Sequence, residues 1–145
     1  MKRLLLSGFL LGASLVLVLG QNHAHTPKEA QIQLNNGKKW KIPKNMIQHI
    51  RDMEKEVLDF ESRTKSYETI NLAEYQVLGN ILNTKIQLLT ASCTMSGQAH
   101  DELHKWLVPY IQLAESLLET KNTEEAKKIY PKIKHAFEVF HQYFM

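Results

Sequence analysis

One cysteine, Cys93, stands in a chain of 145 residues, so no disulfide can close within it. A lone cysteine also excludes the Cys-x-x-Cys-His run that attaches haem covalently. There is no glycine-rich phosphate loop and no His-Glu-x-x-His, which leaves the commonest nucleotide and zinc-protease chemistries without a carrier. Lysine and arginine exceed aspartate and glutamate by only 18 to 15, with no basic stripe, so nucleic acid is not an expected partner. No catalytic constellation stands out, and the chain is read as a non-enzyme.

What is present begins with a targeting pattern. Lys2 and Arg3 precede an apolar stretch from Leu4 to Leu19, and Val18-Leu19-Gly20 offers small residues for cleavage. Residues 1–20 are therefore expected to be a removed signal peptide, and the protein periplasmic or secreted. The competing reading is an uncleaved anchor. The stretch is short for a span, however, and carries Ser7, Gly8, Gly12 and Ser14. No cysteine follows it to carry a lipid, so no stable membrane anchor is expected after cleavage. The remaining chain is close to neutral and of a size for one domain with one core.

Residues 21–43 read as a leader and a short hairpin. Ile32 and Leu34 lead to Asn35-Asn36-Gly37, and Trp40 and Ile42 follow; Asn-Gly tolerates the positive φ of a tight turn. A single hairpin has no sheet to join, so it is expected to lie as an extended flap on helices. Residues 44–145 carry four apolar stripes of helical period. The first, from Pro43, runs Met46, Ile50, Met53, Val57, Phe60. The second opens at Asn71 with Glu74 three residues on, a capping box, and runs Tyr75, Leu78, Leu82, Ile86, Leu89 to Cys93. Ser96-Gly97 breaks the chain. The third stripe is read as His100, His104, Leu107, Ile111, Ala114, Leu118, with Pro109 expected to kink it. Asn122 and Glu125 cap the fourth, which runs Ala126, Tyr130, Ile133, Phe137, Phe140, Phe144 past Pro131. His141 falls inside its buried arc and His135 outside. Short connections make neighbours antiparallel. The expected fold is all-α, an antiparallel up-down-up-down four-helix bundle.

In such a bundle the metal-type side chains gather at one end. Cys93-Thr94-Met95 is followed by His100 and His104, which share a helix face at a spacing of four. Thiolate and thioether are soft ligands suited to Cu(I), and zinc could use the thiolate with two imidazoles. The same residues also suit a purely structural role, as apolar filler and polar cap. The run resembles one found in small exported bacterial proteins. Asp101 and Glu102 are read as facing solvent or orienting an imidazole, and His49 as an auxiliary donor on the flank of the first helix. Cleavage after Gly20 would expose Gln21-Asn22-His23, whose amine, amides and third-position imidazole can enclose Cu(II). His25 adds a donor, and cyclisation of Gln21 would remove the amine.

Asn45-Met46 near the start of the first helix and Phe140-His141-Gln142 near the chain end resemble the haem-ligand segments of cytochrome b562. Glu125-Ala126 leading to His141, and His104-Lys105-Trp106, are similar to that family's fourth and third helices. The likeness spans about 44–145. It implies haem b held by Met46 and His141, a pocket lined by Trp106, Phe137 and Phe144, and electron transfer to a redox partner. Methionine ligation would raise the potential relative to two histidines. The chain departs from the family in its Cys-x-Met run and in Met145, where a basic residue near the propionates is expected. The leading reading is haem b electron transfer; the alternatives are copper binding or buffering with a metal-delivery partner and, third, a non-catalytic interaction module.

Overall fold

Each of the four apolar stripes becomes a helix: α1 Lys44–Thr64, α2 Leu72–Ala91, α3 Gln98–Glu119 and α4 Thr123–Tyr143. A computed structural model describes residues 31–145. The signal-peptide assignment, the leader to residue 30 and His23 lie outside the described residues. No described helix is long and apolar enough to cross a membrane.

The helix ends follow local chemistry. Asn71 Oδ1 accepts from the Glu74 N–H at 3.0 Å, and Asn122 Oδ1 accepts from the N–H groups of Glu124 and Glu125. These satisfy donors that a helix start leaves unpaired. Pro43 sits just before α1, where its missing N–H costs nothing. α3 starts at Gly97, whose φ of 73° suits a residue without Cβ. The interior prolines do not end their helices: α3 runs on past Pro109 and α4 past Pro131.

Side-chain ties run antiparallel around the bundle. Gln76 near the start of α2 donates to the Thr120 carbonyl at the end of α3. Lys85 of α2 meets Glu56 of α1 at 3.2 Å. Trp106 Nε1 of α3 donates to the Ala136 carbonyl of α4 at 2.6 Å. Tyr130 and Lys134 of α4 reach Val57 and Glu61 of α1. The buried face of α1 is the expected stripe extended by Thr64; that of α2 is the expected stripe from Tyr75 to Leu89 with Gly79 added, and Cys93 falls beyond the helix, half-buried.

Two expected faces are corrected. α3 buries Leu103, Trp106, Leu107, Tyr110, Ala114 and Leu117, with Glu102 beside them. His104 is exposed, and His100 and Ile111 are only half-buried. The expected and observed stripes share Leu107 and Ala114, so periodicity alone does not separate them. Burying an indole and a phenol removes far more apolar area than burying imidazoles does, and this decides the rotation. In α4, His141 lies outside the buried arc, its side chain 53% exposed. Phe137, Phe140 and Phe144 take the core face, and His141 is left on the flank beside Glu54 of α1.

The segment before α1 forms no strand among the described residues. Asn35 and Lys38 exchange two backbone hydrogen bonds across Asn36 and Gly37, both at positive φ. The chain then runs as a strap across the bundle end. Trp40 N–H donates to the Tyr143 carbonyl, the Met145 N–H donates back to Trp40, and Ile42 donates to Met145. Trp40 and Ile42 are buried there.

Gly79 of α2 lies tight against the backbone of α3. A Cβ on it would lie 2.6 Å from the Leu118 nitrogen and 2.9 Å from the Leu118 Cα. Backbone cannot yield as a flexible side chain does, so Gly79→Ala must push the helices apart. Overpacking costs about 1–3 kcal/mol, and alanine's better helix propensity returns about 1 kcal/mol. The expected outcome is a net loss of about 1–2 kcal/mol, read from the urea midpoint. A stabilised variant would show that the helices separate freely.

Tyr110 supplies the opposite case. Its hydroxyl is buried with no hydrogen-bond partner among the described residues. Burial, helped by the charge of Glu54, pushes its pKa far up. An orphaned buried hydroxyl costs about 1–3 kcal/mol. Tyr110→Phe should therefore gain about 1 kcal/mol in thermal or urea unfolding. A clear loss would mean that the hydroxyl has a partner, such as an enclosed water.

Candidate functional site

The end of the bundle where α1 and α3 start and α2 and α4 finish holds most of the expected donors. Asn45 Nδ2 donates to the Ser92 carbonyl at 3.3 Å, which sets the start of α1 against the turn after α2. In that turn Cys93 donates its N–H to the Thr90 carbonyl. Cys93 lies just beyond α2 instead of on its last turn. Cys93, Met95 and Ala99 are half-buried and pack against the core. Gly97 then turns the chain into α3.

His100 and His104 follow on one face of α3, with ring centroids 4.1 Å apart. Neither imidazole makes a side-chain hydrogen bond among the described residues. The histidines of α4 differ. His135 Nδ1 is 2.7 Å from Glu138, and His141 Nε2 lies 3.0 Å from both oxygens of Glu54. The paired α3 rings thus keep nitrogen lone pairs available, whereas both α4 histidines are engaged by carboxylates. No three His, Cys, Asp or Glu side chains converge among the described residues. The two imidazoles are the part of a donor set that stands assembled; the sulfurs of Cys93 and Met95 lie on the adjoining turn.

The haem-ligand candidates stand apart in environment. Met46 is 1% exposed in the core, while His141 faces outward to Glu54. The aromatic residues expected to line a pocket pack on one another. Trp106 stacks on Tyr110 at 5.1 Å and meets Phe140 at 5.0 Å. Phe137 lies edge-on to Tyr110, and Phe144 stacks on Phe140. The strap residues Trp40 and Ile42 cover the same end.

Glu102 is the residue whose role sequence reasoning missed. It was expected to face solvent or orient an imidazole, yet it is 5% exposed. Its carboxylate accepts from the Gln33 N–H at 2.8 Å and from Lys105 Nζ at 2.7 Å. Lys105 also reaches the Gln31 carbonyl at 3.4 Å. The pair pins the strap to α3. The only signal in the chain is the i, i+3 spacing of Glu102 and Lys105, which any solvated pair would show.

No protein-family model, no curated protein and no solved structure matches this chain.

Burial alone would raise the Glu102 pKa, but the Lys105 ammonium and the Gln33 N–H outweigh it and hold the carboxyl below its ordinary range. A carboxyl lowered in the folded state adds stability that is present above its unfolded pKa, about 4.3. That stability is lost as pH falls through the lowered value. Glu102→Gln should cost about 1–3 kcal/mol near neutral pH, and the deficit should shrink between about pH 5 and pH 3. Urea midpoints of both proteins across that range, read by circular dichroism, make the comparison. A deficit constant with pH would remove the ion pair as its cause.

Proposed function

We propose that this chain is an exported soft-metal-binding protein that takes Cu(I) at Cys93, Met95, His100 and His104. The observation that carries the reading is the pair of adjacent α3 imidazoles, 4.1 Å apart with unengaged nitrogens, directly after the Cys93–Gly97 turn. A thiolate and a thioether in the same turn are the ligands that favour Cu(I) over harder cations. Two donors sit on a rigid helix and two on a turn able to close over the ion. The exposed side of His104 gives a carrier protein access for metal delivery. Haem b binding between Met46 and His141 draws less support, because Met46 is packed in the core and Glu54 engages His141.

The purified protein, titrated with Cu(I) against a competing chelator, is expected to bind one equivalent. Cys93→Ser and the double variant His100→Ala/His104→Ala should each weaken binding by at least about tenfold, the scale of altering a metal's ligand environment. Equal affinity in all three proteins would sink the proposal. Zinc titrated in parallel should bind less tightly than Cu(I). Uptake of haemin with a low-spin spectrum that is lost in Met46→Ala and His141→Ala would replace this reading with haem b.

A further inference from the structure

A groove of about 1210 Å³ runs along the outside of the α3–α4 pair, separate from the thiol turn and touching the candidate metal site only at His104. Its walls are mostly apolar, with Trp106, Leu113, Ala136 and Val139 among them and Gln112, Ser116 and Gln142 between. Ile32 of the strap and Tyr143 line it at the α4 end. Both interior prolines, Pro109 and Pro131, also line it. Each removes a backbone donor from mid-helix, a costly placement, and both fall on this one groove.

The lysines that line the groove are Lys105 and Lys132. The imidazoles of His104 and His135 also line it, and no aspartate or glutamate does so among the described residues. Glu102 holds Lys105 and Glu138 meets His135. Lys132 is then the rim cation without an ion pair among the described residues. From Lys132 along α4 to Tyr143 is about 16 Å at the helical rise, a path past Ala136 and Val139 with the unpaired Lys132 at its head and the Lys105–Glu102 pair near its far end. The geometry points to a free long-chain carboxylate as the occupant: its head at Lys132, its acyl chain laid along Ala136 and Val139 toward Ile32 and Tyr143. An apolar tail satisfies the walls and a single anionic head satisfies the rim. A cationic amphiphile would leave Lys132 facing a like charge.

The test is displacement of a fluorescent fatty acid from the full mature protein by palmitate, with hexadecyltrimethylammonium as the charge-reversed control. Saturable binding of one palmitate is expected, with weak or no binding of the cation. Lys132→Glu, at an exposed position, should weaken palmitate by about fivefold, the scale of one surface ion pair. Val139→Asp should weaken it by about tenfold or more, the scale of losing one apolar side chain from the contact. If Val139→Asp fails to fold, the Lys132 variant decides alone. Several results would overturn the proposal. They are no saturation, equal binding of the cation, and affinity unchanged by Lys132→Glu. Binding to phosphatidylglycerol vesicles without binding of free palmitate would point to a membrane surface instead. A concentration-dependent dimer in sedimentation that Lys132→Glu or Val139→Asp dissolves would assign the groove to a second copy of the chain.

Discussion

The Trp106 indole fixes the rotation of α3, and the other features of that helix follow from it. The ring is buried against Tyr110, Phe137 and Phe140, and its N–H is spent on the Ala136 carbonyl of α4. A buried indole needs that partner, because an unpaired N–H costs free energy. With the indole inward, positions 103, 107, 110, 114 and 117 are inward as well. His100 and His104 are turned toward the edge, Glu102 goes under the strap, and the flank facing α4 opens as a groove. Rotation of α3 by one position the other way would bury the imidazoles and expose the indole.

The strap depends on that rotation. Glu102 can accept from the Gln33 N–H only because it lies beside the buried face of α3, and Lys105 one turn on completes the pair. At its other end the strap exchanges backbone hydrogen bonds with the last residues of the chain. Residues 31–42 thus join the start of α3 to the end of α4 across the bundle end. Met46, 1% exposed, belongs to the same buried core as Trp40, Ile42 and Phe144. The same closure that stabilises this end denies the Met46 sulfur an open face.

Features set by near neighbours could be read from the chain. Asn71 and Asn122 cap the helices they precede, since a cap depends on residues two or three away. The Asn36-Gly37 turn has the positive φ values its residues favour. In α1 and α2 the off-stripe apolar side chains, Leu58, Val77 and Leu88, stay exposed, and the longer run of apolar positions at helical spacing selects the buried face. α3 offers two overlapping faces, and the choice between them rests on what α4 presents to Trp106. His141 is misplaced for the same reason: its angle admits either the core edge or the flank, and Glu54, 87 positions away, draws it to the flank. Gly79 has no local signature at all. A glycine inside a helix reads as a weakness, and only the Leu118 backbone opposite shows why a Cβ is not tolerated.

The candidate metal site divides along the same line. The four-residue spacing of His100 and His104 puts the rings together whichever way α3 is rotated, so their adjacency belongs to the sequence. Their availability belongs to the tertiary fold, since rings turned into the core would need partners to offset burial. Cys93 and Met95 lie on a turn whose course is set by Gly97 and by the Asn45 contact to Ser92. A site built half on a helix and half on a turn needs little rearrangement of the bundle to admit an ion, because turns open at lower free energy than packed helices. Release to a partner requires the same freedom. A rigid four-donor cage would hold copper more tightly and surrender it more slowly.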